Sequence, residues 1–399
     1  MKFRATTTLA WALLLLPILA SASIWHVEKD GSGDFAVIQD AVDAASDGDT
    51  IKIGPGRYED FFEYHSTDVW NIALVEDKSL TFVGAGVEKT ILGPEEIGII
   101  DSPFVNCIKT YGDGAVLQVA NIRFENVQAD GIRMAEPGRI EVDDCEFENC
   151  GGGLWGYFRD GGWISSCRFV SVGSDFGYCV KLKAPSVGVV IEECDFLNYD
   201  ISTGVGGDWA GTQDNLVVRC RFFGGHTGVV MSAGASATIS NCYFKGQTDY
   251  GILGQGPGTL RIEDCQLDMS GFGGHCFCPY SGSGDYILLN NTLINDGDII
   301  RLYTSRITLE CHGNHFIRTG DDTWYLHPGD SSAGHQGDLR SFDFTDNYWG
   351  TDDPDEVATW IFDLYDDTAY RYFIDFEPMG EPVAVESRSW SGVKALFAN

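Results

Sequence analysis

One pattern recurs along the chain: alternating apolar residues, a short acidic or polar stretch, then Cys or Asn, any residue, and Phe. It reads Glu141-Val-Asp-Asp-Cys-Glu-Phe147, Ile164-Ser-Ser-Cys-Arg-Phe169 and Ile191-Glu-Glu-Cys-Asp-Phe196. Further copies end at Phe222, Phe244, Leu267, Leu293, Phe316 and Trp349, and an earlier one ends at Phe124. Successive copies lie 23, 22, 27, 26, 22, 23, 26, 23 and 33 residues apart. A period of this length means one supersecondary unit repeated with loop insertions, which excludes a coiled coil or a string of separate domains. Inside each unit the period is two, so Cys145 and Phe147 share one face and Glu146 takes the other. A second short strand follows each Phe and is often opened by glycine, as in Gly131-Ile-Arg-Met134, Gly153-Leu-Trp-Gly156, Gly228-Val-Val-Met231 and Gly251-Ile-Leu-Gly254. Two or three short strands per unit and no helices predict an all-β fold, a parallel β-helix of about a dozen coils stacked at the ~4.8 Å strand spacing.

Such a stack exposes a sheet edge at each end, and the sequence supplies a cover for both. Before the first coil, Phe35 to Ala45 places Ile38, Ala41, Val42 and Ala45 at helical spacing, with Gly48 as the stop. After the last coil, Asp353-Pro-Asp-Glu356 is a helix start, with Asp353 as N-cap, Pro354 in the first turn and Glu356 completing a capping box. Val357, Trp360, Ile361 and Leu364 then form an apolar stripe.

The N-terminus reads as a secretory leader: Lys2 and Arg4, an apolar run from Ala10 to Ala20, and a small-x-small cleavage site ending at Ala22. The expected organisation is a leader over 1–22, a β-helix domain with its caps over 23–380, and a tail over 381–399. With 26 basic and 59 acidic residues the 399-residue chain carries a formal charge of −33. That argues against nucleic acid as a partner, since phosphate binding needs clustered cations. No later apolar run reaches the ~20 residues of a membrane span. A secreted or cell-surface monomer is expected, with a polysaccharide or surface glycan as partner.

The segments Val27 to Val42 and Gly48 to Tyr58, with Asn347-Tyr-Trp-Gly350 and Asp375-Phe-Glu-Pro378 near the end, resemble secreted proteins of the pectate-lyase-like superfamily. The opening is similar to that of pectin methylesterases. The resemblance implies a right-handed parallel β-helix and a saccharide groove on one outward sheet face. The departures bear on activity. The Gly-Tyr-Gln-Asp and Asp-Phe-Ile-Phe-Gly segments that carry the methylesterase aspartates are absent, and Gly225-His-Thr-Gly228 is only part of the polygalacturonase pattern. A shared fold confers no chemistry without a matching site.

Of twelve cysteines, six occupy the same slot in successive units: Cys145, Cys167, Cys194, Cys220, Cys242 and Cys265. Stacked neighbours keep their Cβ atoms near ~4.8 Å, beyond the ~3.5–4.5 Å of a disulfide, so an interior thiol ladder is expected, continued by Asn291, Asn314 and Asn347. Cys276 and Cys278 are expected inside with Phe277 outside. Cys150 and Cys179 remain as disulfide candidates.

The outward row of the strand after each Phe is then Arg133, Trp155 with Tyr157, Lys181 with Lys183, Ser202, Val230, Leu253, Phe277, Arg301 with Tyr303, and Tyr325. Aromatic faces stack on sugar rings and cations hold carboxylates, so this row is the candidate saccharide site. The glycine-rich insertion from Gly204 to Asp214 adds Asp208 and Trp209 as overhanging candidates. Three functions remain open: a carbohydrate-binding protein without a catalytic set, a polysaccharide lyase using Lys181 as base and Arg133 or Arg159 as carboxylate clamp, and a structural surface rod. No cofactor motif is identified, and Ca²⁺ has only the loop pairs Asp321-Asp322 and Asp352-Asp353 as candidate ligands.

Overall fold

The computed structural model describes residues 22–381 apart from 173–176, 198–202, 208–210, 282, 304–305, 322–323 and 329–338. The leader before Ala22, Ser202, Asp208, Trp209 and the tail beyond Glu381 lie outside the described residues. Each coil contributes one strand to each of three long sheets, as in Arg139–Asp143, Glu146–Glu148 and Gly152–Gly156. The first sheet has 14 strands, the second 11 and the third 12. Pairing is parallel throughout except where Phe62–Glu63 folds back on Val69–Glu76 at the start of the third sheet.

The corner between first and second sheets is turned by one residue in the left-handed region: Asp144, Ser166, Glu193, Arg219, Asn241, Asp264 and Asn290 all have φ between 46° and 55°. Asn and Asp tolerate that conformation, whereas Glu193 and Arg219 adopt it because the coil on either side demands the same turn. The residue after each corner points inward and forms the ladder. Cys194 Sγ and Cys220 Sγ donate to carbonyls of the preceding coil at 3.6 and 3.5 Å. From Cys265 onward the partner is an amide. Cys265 N–H donates to Asn291 Oδ1, Asn291 N–H to Asn314 Oδ1 and Asn314 N–H to Asn347 Oδ1, at 2.9, 2.9 and 2.8 Å.

Two residues further on, the rings of Phe124, Phe147, Phe169, Phe196, Phe222 and Phe244 stack with centroids 4.5–4.9 Å apart and planes within 10°. The coil pitch thus sets a ring spacing close to van der Waals contact, and each ring is fully buried. The ring edges also dictate a neighbouring column. A Cβ at Gly153 would lie 2.6 Å from the Phe169 ring, so the residue facing a stacked ring there must be small. Glycine or cysteine fills this position from Cys107 to Cys276, including Cys179, whereas Ile72 before it and Ile299 and Tyr325 after it occupy the ends of the column.

All twelve cysteines are free and buried, so the bridge considered for Cys150 and Cys179 does not form. Cys150 Sγ instead donates to Phe124 O and Glu148 O at 3.5 and 3.4 Å, and burial pushes its thiol up to about 12. Cys179 is tied to the small-residue column, where burial likewise raises its thiol well above the ordinary range.

The first cap is helix α1, Ile38–Ala44, with Ile38, Ala41 and Val42 buried against the opening coils. The second, α2, is only Pro354–Ala358. Asp353 caps it as expected, accepting from Asp355 N–H at 3.0 Å, but the capping box is not formed because Asp353 N–H donates to Thr351 Oγ1. Val357 and Ile361 are buried, with Ile361 already beyond the helix as a bridge partner of Leu326.

Candidate functional site

The outward face of the third sheet gathers aromatic and cationic side chains in several coils, among them Arg133, Trp155, Lys181 and Arg301. Its inward row is Ile108, Ile132, Leu154, Val180, Val205, Val229, Ile252, Phe277, Ile300 and Leu326. Period two then turns Lys109, Arg133, Trp155, Lys181, Gly206, Val230, Leu253, Cys278, Arg301 and His327 outward.

Two expected positions are corrected by this register. Phe277 is fully buried in the core and Cys278 is the outward residue. The small-residue column puts Cys276 inside at the bend, and the strand proper then begins with Phe277, also inside, so two consecutive residues face inward there. Tyr325 is also interior. It is 4% exposed, packs edge-on against Phe316 and Trp349, and His327 takes the outward place two residues later. Leu253 and Cys278 are outward yet covered, forming a small apolar cluster with Tyr250, against which Val230 and Tyr303 pack.

The face has two polar centres. At its N-terminal end the Arg133 guanidinium lies 3.9 Å from the Trp155 ring centroid and 2.7 Å from Asp130 Oδ2. Lys183 Nζ is 6.0 Å from the same indole, and Trp155 meets Tyr157 edge-on at 5.3 Å. Lys181 Nζ lies 3.5 Å from the Tyr178 ring centroid. That ring occupies the space above Gly206, where a Cβ would come within 2.2 Å of it, so the glycine is needed to seat Tyr178 and, through it, Lys181. Burial raises the Asp130 carboxyl above the usual range, against the opposing pull of Arg133 and Lys109. A cavity of about 180 Å³, lined by Thr67, Val69, Phe104, Asn106, Lys109, Ala129 and Arg133, lies between this centre and the opening hairpin.

The second centre, further along the same face, was not legible as a site. It joins His226, Asp249, Tyr250, His275, Asp298, Arg301 and His327. His226 Nε2 is 3.6 Å from Asp249 Oδ2, and His327 Nδ1 is 3.4 Å from Asp298 Oδ2, both ion-pair distances rather than good hydrogen bonds. Arg301 Nη1 donates to His275 Nε2 at 3.1 Å, which fixes that nitrogen as the acceptor and leaves Nδ1–H to donate to Asp298 O at 3.0 Å. Burial pushes the His275 imidazole below its usual range, in keeping with this neutral tautomer. Burial raises the Asp249 carboxyl even against the pull of His226, His275 and Arg301. At Asp298 burial also acts upward, but His327, His275 and Arg301 together hold the carboxyl below the usual range. Tyr280 and Tyr303 pair beside this centre at 4.8 Å, and Tyr280 is 43% exposed.

The sequence signal for this centre is the coil interval. From His226 to Asp249, Asp249 to His275 and His275 to Asp298 the steps are 23, 26 and 23 residues, each close to one coil, although the Phe-type residues of the same coils step by 22, 23 and 26. Among the described residues no group of three or more His, Cys, Asp or Glu side chains is placed to hold a metal ion, and no helix is long and apolar enough to cross a membrane.

Comparison with known proteins places the chain. The family model for the right-handed beta helix region matches residues 106–206 and 189–333, together more than half of the chain. Pectinesterase 31 of Arabidopsis thaliana is 29% identical over 147 residues, 33% of this chain and 43% of that protein, so the match spans less than half of the relative's length. Among solved structures, the Agl-KA catalytic domain superposes with a TM-score of 0.50 at 12% identity, covering 86% of this chain and 64% of that one. A family 28 exopolygalacturonase of Yersinia enterocolitica gives 0.46 at 11% identity, covering 77% of each. The Agl-KA likeness bears on the fold alone. With its repeats, its three parallel sheets and the extent of the family match in agreement, the chain belongs to the right-handed parallel β-helix family.

Proposed function

We propose that the protein is exported and binds an acidic, uronate-containing polysaccharide along the outward face of its third sheet. The observation that carries this reading is the N-terminal centre, where Arg133 stacks on Trp155 with Lys183 beside the same ring. In a chain of formal charge −33, cations grouped over aromatic rings form a local field that attracts carboxylates, while the indole offers a flat surface to a sugar ring. Arg133 is anchored by Asp130 and Lys181 by Tyr178, which fits holding a ligand in place more than moving a proton. Similarity to a pectinesterase supports a polysaccharide as the ligand class.

Titration with polygalacturonate and alginate oligomers, alongside neutral glucans of equal length, tests the reading. Binding is expected for the uronates only and should weaken with added salt, because the charges are close to the surface. Replacement Trp155→Ala removes the stacking surface and the cation–π partner of Arg133, a loss of about 1–2 kcal/mol or roughly tenfold in affinity. Equal binding of neutral glucans, or unchanged affinity in the variant, would refute it.

A further inference from the structure

The cavity at the N-terminal end of the third-sheet face is lined by a cation that no anion of the protein balances. Lys109 is only 7% exposed, and its Nζ lies 4.8 Å from the Tyr111 ring centroid. Among the described residues no carboxylate or carbonyl accepts a hydrogen bond from that ammonium. Arg133 stands beside Lys109 in register on the next strand, and both line the cavity. Asp130 pairs with Arg133, so one carboxylate serves two cations and a positive charge is left over. A buried ammonium is costly unless an anion meets it. The charge that would balance the cavity is that of one carboxylate.

The face also stops at this cavity. The third sheet ends in Val69–Glu76 and Phe62–Glu63, which pair antiparallel, and the hairpin that joins them turns over the outward side. Tyr64 of the hairpin stacks on Tyr111 with centroids 5.6 Å apart, and Thr67 Oγ1 donates to Tyr64 O at 2.6 Å. Ser102 Oγ donates to Asp68 O at 2.7 Å and ties the hairpin to the chain just before Phe104. Thr67 and Val69 thus wall the cavity on the side away from Trp155. Its volume of about 180 Å³ is that of roughly six waters at ~30 Å³ each, room for one sugar unit and too little for a chain to pass through.

Resting on the reading of this face as polysaccharide-binding, we propose that the cavity takes the terminal unit of the uronate chain, so that the protein grips chain ends and not chain interiors. The carboxylate of that unit lies between Lys109 and Arg133, with Asp130 positioning the guanidinium. Val69, Ala129 and the ring of Phe104, which is 54% exposed, meet the apolar sides of the sugar. The chain then leaves over Trp155 and continues along the face, because the hairpin blocks the other direction.

The test titrates the full-length protein with polygalacturonate and alginate fractions of defined length, from short oligomers to chains several times longer than the rod. Calorimetry reads affinity and the number of proteins per chain. The expected result is one protein per chain at every length, for at least one polymer. Lys109→Met keeps the stem and removes the ammonium. It should weaken binding by about 10- to 100-fold, while the free protein unfolds at the same or a higher temperature because an unbalanced buried charge is gone. Ala129→Leu fills the cavity without altering a charge and should weaken binding to a similar degree. The stoichiometry is read on the wild type and stands even if a variant fails to fold. Several proteins on each long chain, or wild-type affinity in both variants, would overturn the inference and leave the binding reading intact. Failure of both polymers to bind would overturn the two together.

Discussion

Phe196→Ala should destabilise the protein by about 3–5 kcal/mol, read as a lower urea midpoint. The ring is fully buried and sits between Phe169 and Phe222 at 4.9 and 4.5 Å with nearly parallel planes. Removing it opens a cavity that neighbouring coils cannot close, because the backbone pitch holds Phe169 and Phe222 two strands apart. Two aromatic contacts are lost together with the transfer energy of the ring. Phe272, which is 48% exposed, provides the control: Phe272→Ala should cost less than about 1 kcal/mol. Equal midpoints for the two variants would contradict a core built on the stacked rings. In a repeat array each coil leans on its neighbours, so the loss should be felt most by the coils that flank Phe196.

The second large effect is expected at Asn314. Its Oδ1 accepts from the backbone N–H and the Nδ2 of Asn291, both at 2.9 Å, and its Nδ2 donates to Leu288 O at 2.9 Å and Asn347 Oδ1 at 3.0 Å. Asn314→Leu keeps the branched outline of the side chain but removes the acceptor of the buried Asn291 N–H and the amide donor to Leu288 O, and takes one of two partners from Asn291 Nδ2 and Asn347 Oδ1; at about 1–3 kcal/mol for each group orphaned, a total of roughly 3–5 kcal/mol is expected after relaxation. Asn314→Cys should cost visibly less. The same slot two coils earlier holds Cys265, whose Sγ accepts from Cys242 N–H at 3.4 Å, so a thiol satisfies the donor of the preceding coil. Thermal unfolding of the two variants side by side separates hydrogen bonding from packing. A leucine variant as stable as the cysteine variant would show that the ladder acts only by filling space.

Both effects follow from a motif that the sequence displays openly. The spacing from Cys145 to Phe147 and its repeats identify the inward rows, because period two and a constant coil length leave one arrangement in which all ten copies are buried. The third-sheet face was legible where the strand register follows simple alternation, as at Arg133, Trp155 and Lys181. It failed at Phe277, where the bend admits two inward residues in succession, and at Tyr325, which stands at the same bend position one residue before inward Leu326, leaving His327 as the outward residue. The second centre was hidden for a different reason. His226, Asp249, His275 and Asp298 are single residues in separate coils, and only superposition of the coils brings them together. Asp208 and Trp209 stay expectations of the glycine-rich insertion.

The account turns on which face of the solenoid meets the polysaccharide, and hydroxyl-radical footprinting reads that directly. Trp155 and Tyr280 stand on third-sheet strands and Tyr157 and Tyr303 directly after strands of that sheet, whereas Trp163 projects from the first sheet and is 45% exposed. Adding polygalacturonate or alginate oligomers at saturation should slow oxidation of these four aromatics and leave Trp163 unchanged. Protection of Trp163 with continued oxidation of Trp155 and Tyr303 would place the ligand on the wrong face and contradict the account.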